Sequence, residues 1–155
     1  MKIDESDRSA GWKFSEYEMK GIPLRVEVGP RDLANGVVTI AKRNDGVKEQ
    51  VKIEDVSKRL LELIPVVHKE MYDHAYQYLL EHTSEVRNME ELNDRLAKGG
   101  YAKMMWCGEQ ACEDKIKELT NATARCMPFN QTPFDDVCPI CGKKAKKVVL
   151  FAKAY

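Results

Sequence analysis

From Ile22 to Val28 the chain alternates, with Leu24, Val26 and Val28 set against Arg25 and Glu27, a pattern that predicts a half-buried strand. Upstream, Gly11 to Lys20 interleaves Trp12, Phe14 and Tyr17 with Lys13, Glu16 and Glu18, predicting a short helix that Gly21 can end. Gly29-Pro30 reads as a turn, and Gly36 to Lys42 as a second strand rich in Val, Thr and Ile. Arg43-Asn44-Asp45-Gly46 supplies a hairpin turn, because Asn and Asp before Gly tolerate positive φ; Val47 to Ile53 is the return strand.

A long helix follows. Val56, Leu60, Leu63, Ile64, Val67, Met71, Ala75, Tyr78 and Leu79 recur at spacings of three and four, which places them on one face. Pro65 lies inside this run and predicts a kink or a division near Ile64. Beyond it the pattern predicts helices over Met89 to Ala97 and Glu109 to Leu119. Strands are predicted over Tyr101 to Trp106, Ala124 to Phe129 and Val148 to Ala152. No internal repeat or low-complexity tract interrupts the chain, and the natural boundary falls within or just after the long helix.

Composition narrows the class. The 155 residues hold 25 Lys and Arg against 25 Asp and Glu, so a uniformly basic coat for gripping nucleic acid is excluded, though a local basic face is not. At 43% hydrophobic and 32% charged the chain has a globular composition. No apolar run approaches the roughly 18 residues of a membrane helix, and the charged N-terminus carries no apolar signal region. The expected compartment is the cytoplasm, with no membrane partner. In that setting the sequons at Asn121 and Asn130 are chance matches.

All five cysteines fall in the last third, where a reducing compartment makes paired thiols a sign of metal. Four residues separate Cys107 from Cys112, and two separate Cys138 from Cys141. Tight turns at each pair would bring four sulfurs to one ion, a closed structural zinc site. Cys138-Pro-Ile-Cys141 by itself also fits a redox dithiol, and unliganded thiols are a third reading. The redox motif normally opens a helix after a strand, whereas here Gly-Lys-Lys and a terminal strand follow. Cys126 belongs to neither pair and is expected to be a small buried residue. His68, His74 and His82 lack ligand spacing and read as ordinary helical residues. Lys143, Lys144, Lys146 and Lys147 form a basic cluster beside the second pair, expected to be a solvated face. There is no Gly-rich phosphate loop, nucleophile elbow or His-Glu-x-x-His, so the residues alone point to a metal-stabilised binding protein.

Two long motifs are more specific. The run from Gly11 to Pro23 (GWKFSEYEMKGIP), continued by Arg25-Val26-Glu27-Val28-Gly29-Pro30-Arg31-Asp32-Leu33, resembles the anticodon-binding domain of prolyl-tRNA synthetases. The paired cysteines, Arg125-Cys126-Met127-Pro128-Phe129 and the ending Phe151-Ala152-Lys153-Ala154-Tyr155 resemble the zinc-containing C-terminal domain of the archaeal and eukaryotic-type branch, which some bacteria also carry.

The resemblance implies an α/β fold: a mixed-sheet class II anticodon-binding domain over residues 1–67, without its usual first strand and helix, then a small α+β zinc-binding domain over 68–155. It implies proline tRNA as partner, read at two successive anticodon guanines. Glu18 and Asp32 would be acceptors for the guanine N1–H and N2–H groups. Arg25 and Arg31 would be donors to O6 and N7, and Arg43 a phosphate contact. Trp12 and Phe14 are candidates for stacking or for helix packing. By the same resemblance the Tyr155 carboxylate would approach a catalytic core. That core, with its ATP and Mg2+, would lie upstream, and the parent would be a homodimer with no role on DNA. The expected function is therefore the tRNA-binding and zinc region of a proline–tRNA ligase, itself non-catalytic. A free-standing tRNA-binding accessory protein and an unrelated zinc or redox module are the competing classes.

Overall fold

A computed structural model describes residues 2–154. The chain forms two compact units, one up to His74 and one from Ala75, with a single long helix running through the division.

In the first unit, α1 (Ala10–Met19) begins at Ser9, whose side-chain oxygen accepts the Trp12 backbone N–H. Strands β1 (Leu24–Glu27), β2 (Val37–Lys42) and β3 (Lys48–Lys52) form an antiparallel sheet in that order. The predicted hairpin joins β2 to β3, with Gly46 at φ 71°. Gly29-Pro30 does more than turn the chain: Pro30 opens helix α2 (Pro30–Ala34), where a fixed φ and a missing N–H cost nothing. This sheet is wholly antiparallel; the parallel pairing that makes a sheet mixed occurs in the second unit.

Strand register divides the first sheet into two faces. Val38, Ile40 and Val51 share one face, and Val38 and Ile40 are buried. Helix α3 (Val56–Glu81) carries the buried Leu63 and Val67 and is pinned to that face by ion pairs. Arg59 meets Glu49 at 2.7 Å, and Lys42 meets Glu70 at 2.9 Å. Arg25, Glu27, Thr39, Lys48 and Gln50 share the other face.

Helix α3 is continuous through Pro65, so the division expected there does not occur. The proline removes one backbone bond at a cost of about 3 kcal/mol, which the burial on either side of it offsets. The predicted apolar face is buried only as far as Val67. Ile64, Met71, Tyr78 and Leu79 are exposed. A helix of 26 residues spans about 39 Å, whereas the longest strand of this sheet, at 6 residues, covers about 20 Å.

The second unit is a four-stranded mixed sheet in the order β4-β5-β7-β6. Its strands are β4 (Thr83–Val86), β5 (Tyr101–Trp106), β6 (Ala122–Cys126) and β7 (Lys147–Lys153). Helix α4 (Met89–Ala97) crosses from β4 to the parallel β5, capped by Asn88 onto the Glu91 N–H. Helix α5 (Gln110–Thr120) ends at Asn121 in the left-handed conformation. One core gathers Val86, Leu92, Leu96, Met104, Ile116, Val149 and Phe151. Phe151 is fully buried, so Phe151→Ala is expected to cost about 3–5 kcal/mol, read as a fall in the denaturant midpoint of this unit.

Gly100 is the one glycine packed against backbone. Its φ is 91°, and a Cβ there would press into the His82 carbonyl, which accepts the Tyr101 N–H at 2.7 Å. Gly100→Ala is expected to destabilise by more than about 1 kcal/mol, against a few tenths for an exposed helical substitution, in the same unfolding assay. No helix among the described residues is long and apolar enough to cross a membrane.

Candidate nucleic-acid interface and metal centre

The face of the first sheet opposite the Val38 and Ile40 core is largely polar because its residues alternate with the core positions. Arg25 and Lys48 lie in one cross-strand row with Ala41 between them; Glu27, Thr39 and Gln50 form the next. Phe14 of α1 packs over this face, with the Arg25 guanidinium 3.9 Å and the Lys48 ammonium 5.4 Å from its ring centroid. That is cation–π geometry. Phe14 therefore organises the cations, and is not an open stacking platform. Trp12 points elsewhere, 45% exposed, with Arg8 against its ring.

Of the five residues expected at an anticodon site, Glu18 and Arg25 are in direct contact, Nη1 to Oε1 at 2.8 Å. Arg25 Nε also donates to Glu27 Oε1 at 3.0 Å. Asp32 reaches the same face, accepting from Gln50 Nε2 at 3.4 Å. Arg31, beside it on α2, is exposed and has no ion pair or side-chain hydrogen bond among the described residues. Arg43 lies apart from this group. It follows β2 and turns toward α3, with Nη2 3.5 Å from the Met71 sulfur and Nε buried without a hydrogen-bond partner among the described residues. Glu27, Lys48 and Gln50 escaped the sequence reading; the alternation that places them beside Arg25 was their only signal.

Electrostatically the face is balanced. Burial pushes the Glu27 carboxyl up, but hydrogen bonds from Lys48 and Arg25 outweigh it and hold it below the ordinary carboxylate range.

The candidate metal centre is built by two tight turns. Gly108, at φ 92°, follows Cys107 at the end of β5, and Cys112 sits in the first turn of α5. Cys138 to Gly142 forms the second turn: the Gly142 N–H donates to the Cys138 carbonyl at 2.9 Å, with Gly142 at φ 71°. The Cys107, Cys112, Cys138 and Cys141 sulfurs all lie within 4.8 Å of one another, and Cys107 and Cys112 are 3.6 Å apart. A tetrahedral ion with metal–sulfur bonds of about 2.3 Å needs sulfurs about 3.8 Å apart, so the four fit one ion. Lys143 and Glu109 join the two turns at 2.9 Å.

Cys107, Cys112 and Cys138 are buried, and Cys141 is exposed. Burial pushes the Cys107 and Cys112 thiols up, whereas the Lys143 backbone N–H draws Cys141 down. Burial thus disfavours the thiolate at Cys107 and Cys112, and a bound cation would offset that penalty. Trp106 and Ile140 pack against the sulfurs.

Cys126 is exposed, contrary to expectation. It ends the edge strand β6 at a register shift between Ala124 and Cys126, which turns it off the core face. His68 and His74 are exposed on α3. His82 follows that helix and stacks on Tyr78 at 3.8 Å between ring centroids. Lys144, Lys146 and Lys147 are exposed, as expected of a solvated face, whereas Lys143 is engaged by Glu109. Tyr155 lies outside the described residues.

Comparison with known proteins agrees with this division. Residues 1–63 match the family described as anticodon binding domain, and residues 89–155 match the family described as prolyl-tRNA synthetase, C-terminal. Relatives named proline–tRNA ligase align along essentially the whole chain. One from Clostridium botulinum is 45% identical over 100% of this chain and 33% of its own length. One from Oceanobacillus iheyensis is 46% identical over 99% and 32%. One from Lachnospira eligens is 47% identical over 100% and 33%. The chain thus spans about a third of the length of the curated relatives it matches.

Proposed function

The chain belongs to the prolyl-tRNA synthetase family, to whose C-terminal region it corresponds, and from that premise we propose that it binds the anticodon loop of proline tRNA through the polar face of its first sheet. The supporting observation is that Glu18, Arg25 and Asp32 meet that face, acceptors and a donor together, with Arg31 next to Asp32 on α2. Splayed-out guanines offer N1–H and N2–H donors and O6 and N7 acceptors, so a face carrying both signs reads bases where a purely cationic one would grip phosphate. Glu18 is half exposed, and its second oxygen makes no hydrogen bond among the described residues. Arg43, on the α3 side, is assigned a backbone contact.

The unit up to His74 carries this task, and the unit from Ala75 is a second domain whose four cysteines hold a structural zinc ion. Zinc suits the set: four sulfurs leave no position open for catalysis, and a tetrahedral sulfur cage is its usual structural coordination. Proline ligation, with its ATP and Mg2+, is assigned to the part of the parent enzyme that these 155 residues do not span, with the parent acting in the cytoplasm as a homodimer.

Fluorescence anisotropy tests the binding reading. The chain is titrated into an RNA stem-loop carrying the proline anticodon, and into one with both guanines replaced by adenine. The expected result is at least tenfold tighter binding to the first, the discrimination of about one good bidentate contact. Equal affinities would remove anticodon reading from this chain.

A further inference from the structure

One carboxylate on the candidate interface has no outward role. Glu27 Oε1 accepts from Arg25 Nε at 3.0 Å and lies 2.9 Å from Lys48 Nζ, while Oε2 accepts from Lys48 Nζ at 3.0 Å. Both oxygens are thus committed to cations of its own sheet, and its side chain is only 19% exposed. Arg25 and Lys48 stand on the two strands flanking β2, paired across the small Ala41. Strands two apart are separated by about 9.6 Å, so two cations on one row repel and would diverge into solvent without an anion between them. Phe14 over the same row limits them from above.

The geometry points to Glu27 as a positioning residue that holds Arg25 and Lys48 as a fixed pair on the sheet, so that the face distinguishes bases and does not merely attract RNA. This rests on the anticodon reading above. Glu27 touches no base itself. It removes rotamer freedom from two long side chains before RNA arrives, which lowers the cost of ordering them on binding. It also cancels one positive charge where nonspecific phosphate attraction would otherwise grow.

The two possible roles of a carboxylate at an RNA-binding face have opposite signs. Removing a merely repulsive anion tightens binding to every RNA. Removing a positioning anion weakens binding to the right loop and leaves or improves binding to the wrong one. Glu27→Gln keeps the shape and one acceptor but cannot neutralise two cations. In the full chain, titrated with the guanine-bearing stem-loop and its adenine-substituted counterpart, Glu27→Gln is expected to lower the discrimination ratio about tenfold through weaker binding to the first RNA. Its melting temperature should stay within a few degrees of the parent chain. Glu49→Gln, which loses an ion pair on the opposite face, serves as the control and should keep the ratio.

A Glu27→Gln chain with unchanged discrimination, or with uniformly tighter binding, overturns the positioning role while leaving the anticodon reading intact. A uniform loss of affinity together with a large drop in melting temperature marks Glu27 as structural and overturns it also. A parent chain that does not discriminate at all defeats the anticodon reading, and this inference with it.

Discussion

Stripping the metal from the second unit is expected to have the largest effect of any perturbation. The apparent binding free energy of structural zinc in small four-ligand sites is about 10–16 kcal/mol at neutral pH, comparable with the whole stability of a small domain. Here the two turns that carry the cysteines have little else to hold them. Cys138 is fully buried, but its segment closes largely on itself through the isolated Val137–Lys144 bridge, and it is attached to the remainder mainly by the Lys146 N–H to the Trp106 carbonyl, the packing of Ile140 and the exposed Lys143–Glu109 pair. An exposed pair contributes at most about 1 kcal/mol.

A strong chelator should therefore loosen residues 135–145 and the start of α5, while the core around Phe151 and Leu92 persists longer. Cys138→Ser should bind less than one equivalent of zinc and melt well below the parent chain. Cys126→Ser, at an exposed thiol outside the site, should match the parent in both respects. Metal content by mass spectrometry and melting with and without chelator check this. A Cys138→Ser chain that keeps a full equivalent of zinc and the parental melting temperature would contradict it.

The second large effect is expected at α2. Asp32→Ala and Arg31→Ala should each weaken binding to proline tRNA by about 1–3 kcal/mol, the scale of one good bidentate base contact. The structure makes this a clean measurement. Asp32 has one long hydrogen bond to Gln50, and Arg31 is exposed without an ion pair among the described residues. Folding should then change by no more than about 0.5 kcal/mol, and a loss of affinity reports on the contact alone. Arg43→Ala is expected to lose less and to affect all RNAs alike, since a phosphate contact carries no sequence information. Wild-type affinity in both α2 variants would remove them from the site.

Much of this was legible in the residue pattern, for physical reasons that differ by element. Helix α4 has buried Leu92 and Leu96 four apart and the start signal Asn88. Strand β5 buries Ala102 and Met104 on one side and Met105 on the other, so it reads as a strand by its apolar run. The four cysteines were legible because metal chemistry demands a spacing that folding alone does not. Strand β4 was not. Thr83-Ser84-Glu85-Val86 contains one buried residue, and what makes it a strand is pairing with β5 across an intervening helix. The far half of α3 shows the converse: periodicity reports which residues share a face, not whether a partner extends far enough to cover it.

The site was legible in part. Glu18, Arg25, Arg31 and Asp32 were picked out by resemblance, and the fold brings Glu18, Arg25 and Asp32 to one sheet face. Glu27 and Lys48 look like ordinary surface charges in one dimension. Alternation puts Glu27 beside Arg25 on β1, and only strand register shows that Lys48 stands in the same row, two strands away. Cys126 misled because a strand-forming segment suggested burial, whereas a bulge on an edge strand turned it outward.

Hydrogen exchange of the full chain, with and without the guanine-bearing stem-loop, tests the central claim most directly. The account predicts protection in the peptides covering Phe14 to Glu27, Arg31 to Asp32 and Lys48 to Gln50, and little change around the cysteine turns. Protection confined to residues 75–154, or none at RNA concentrations that saturate binding, would show that the polar face of the first sheet is not where RNA is read.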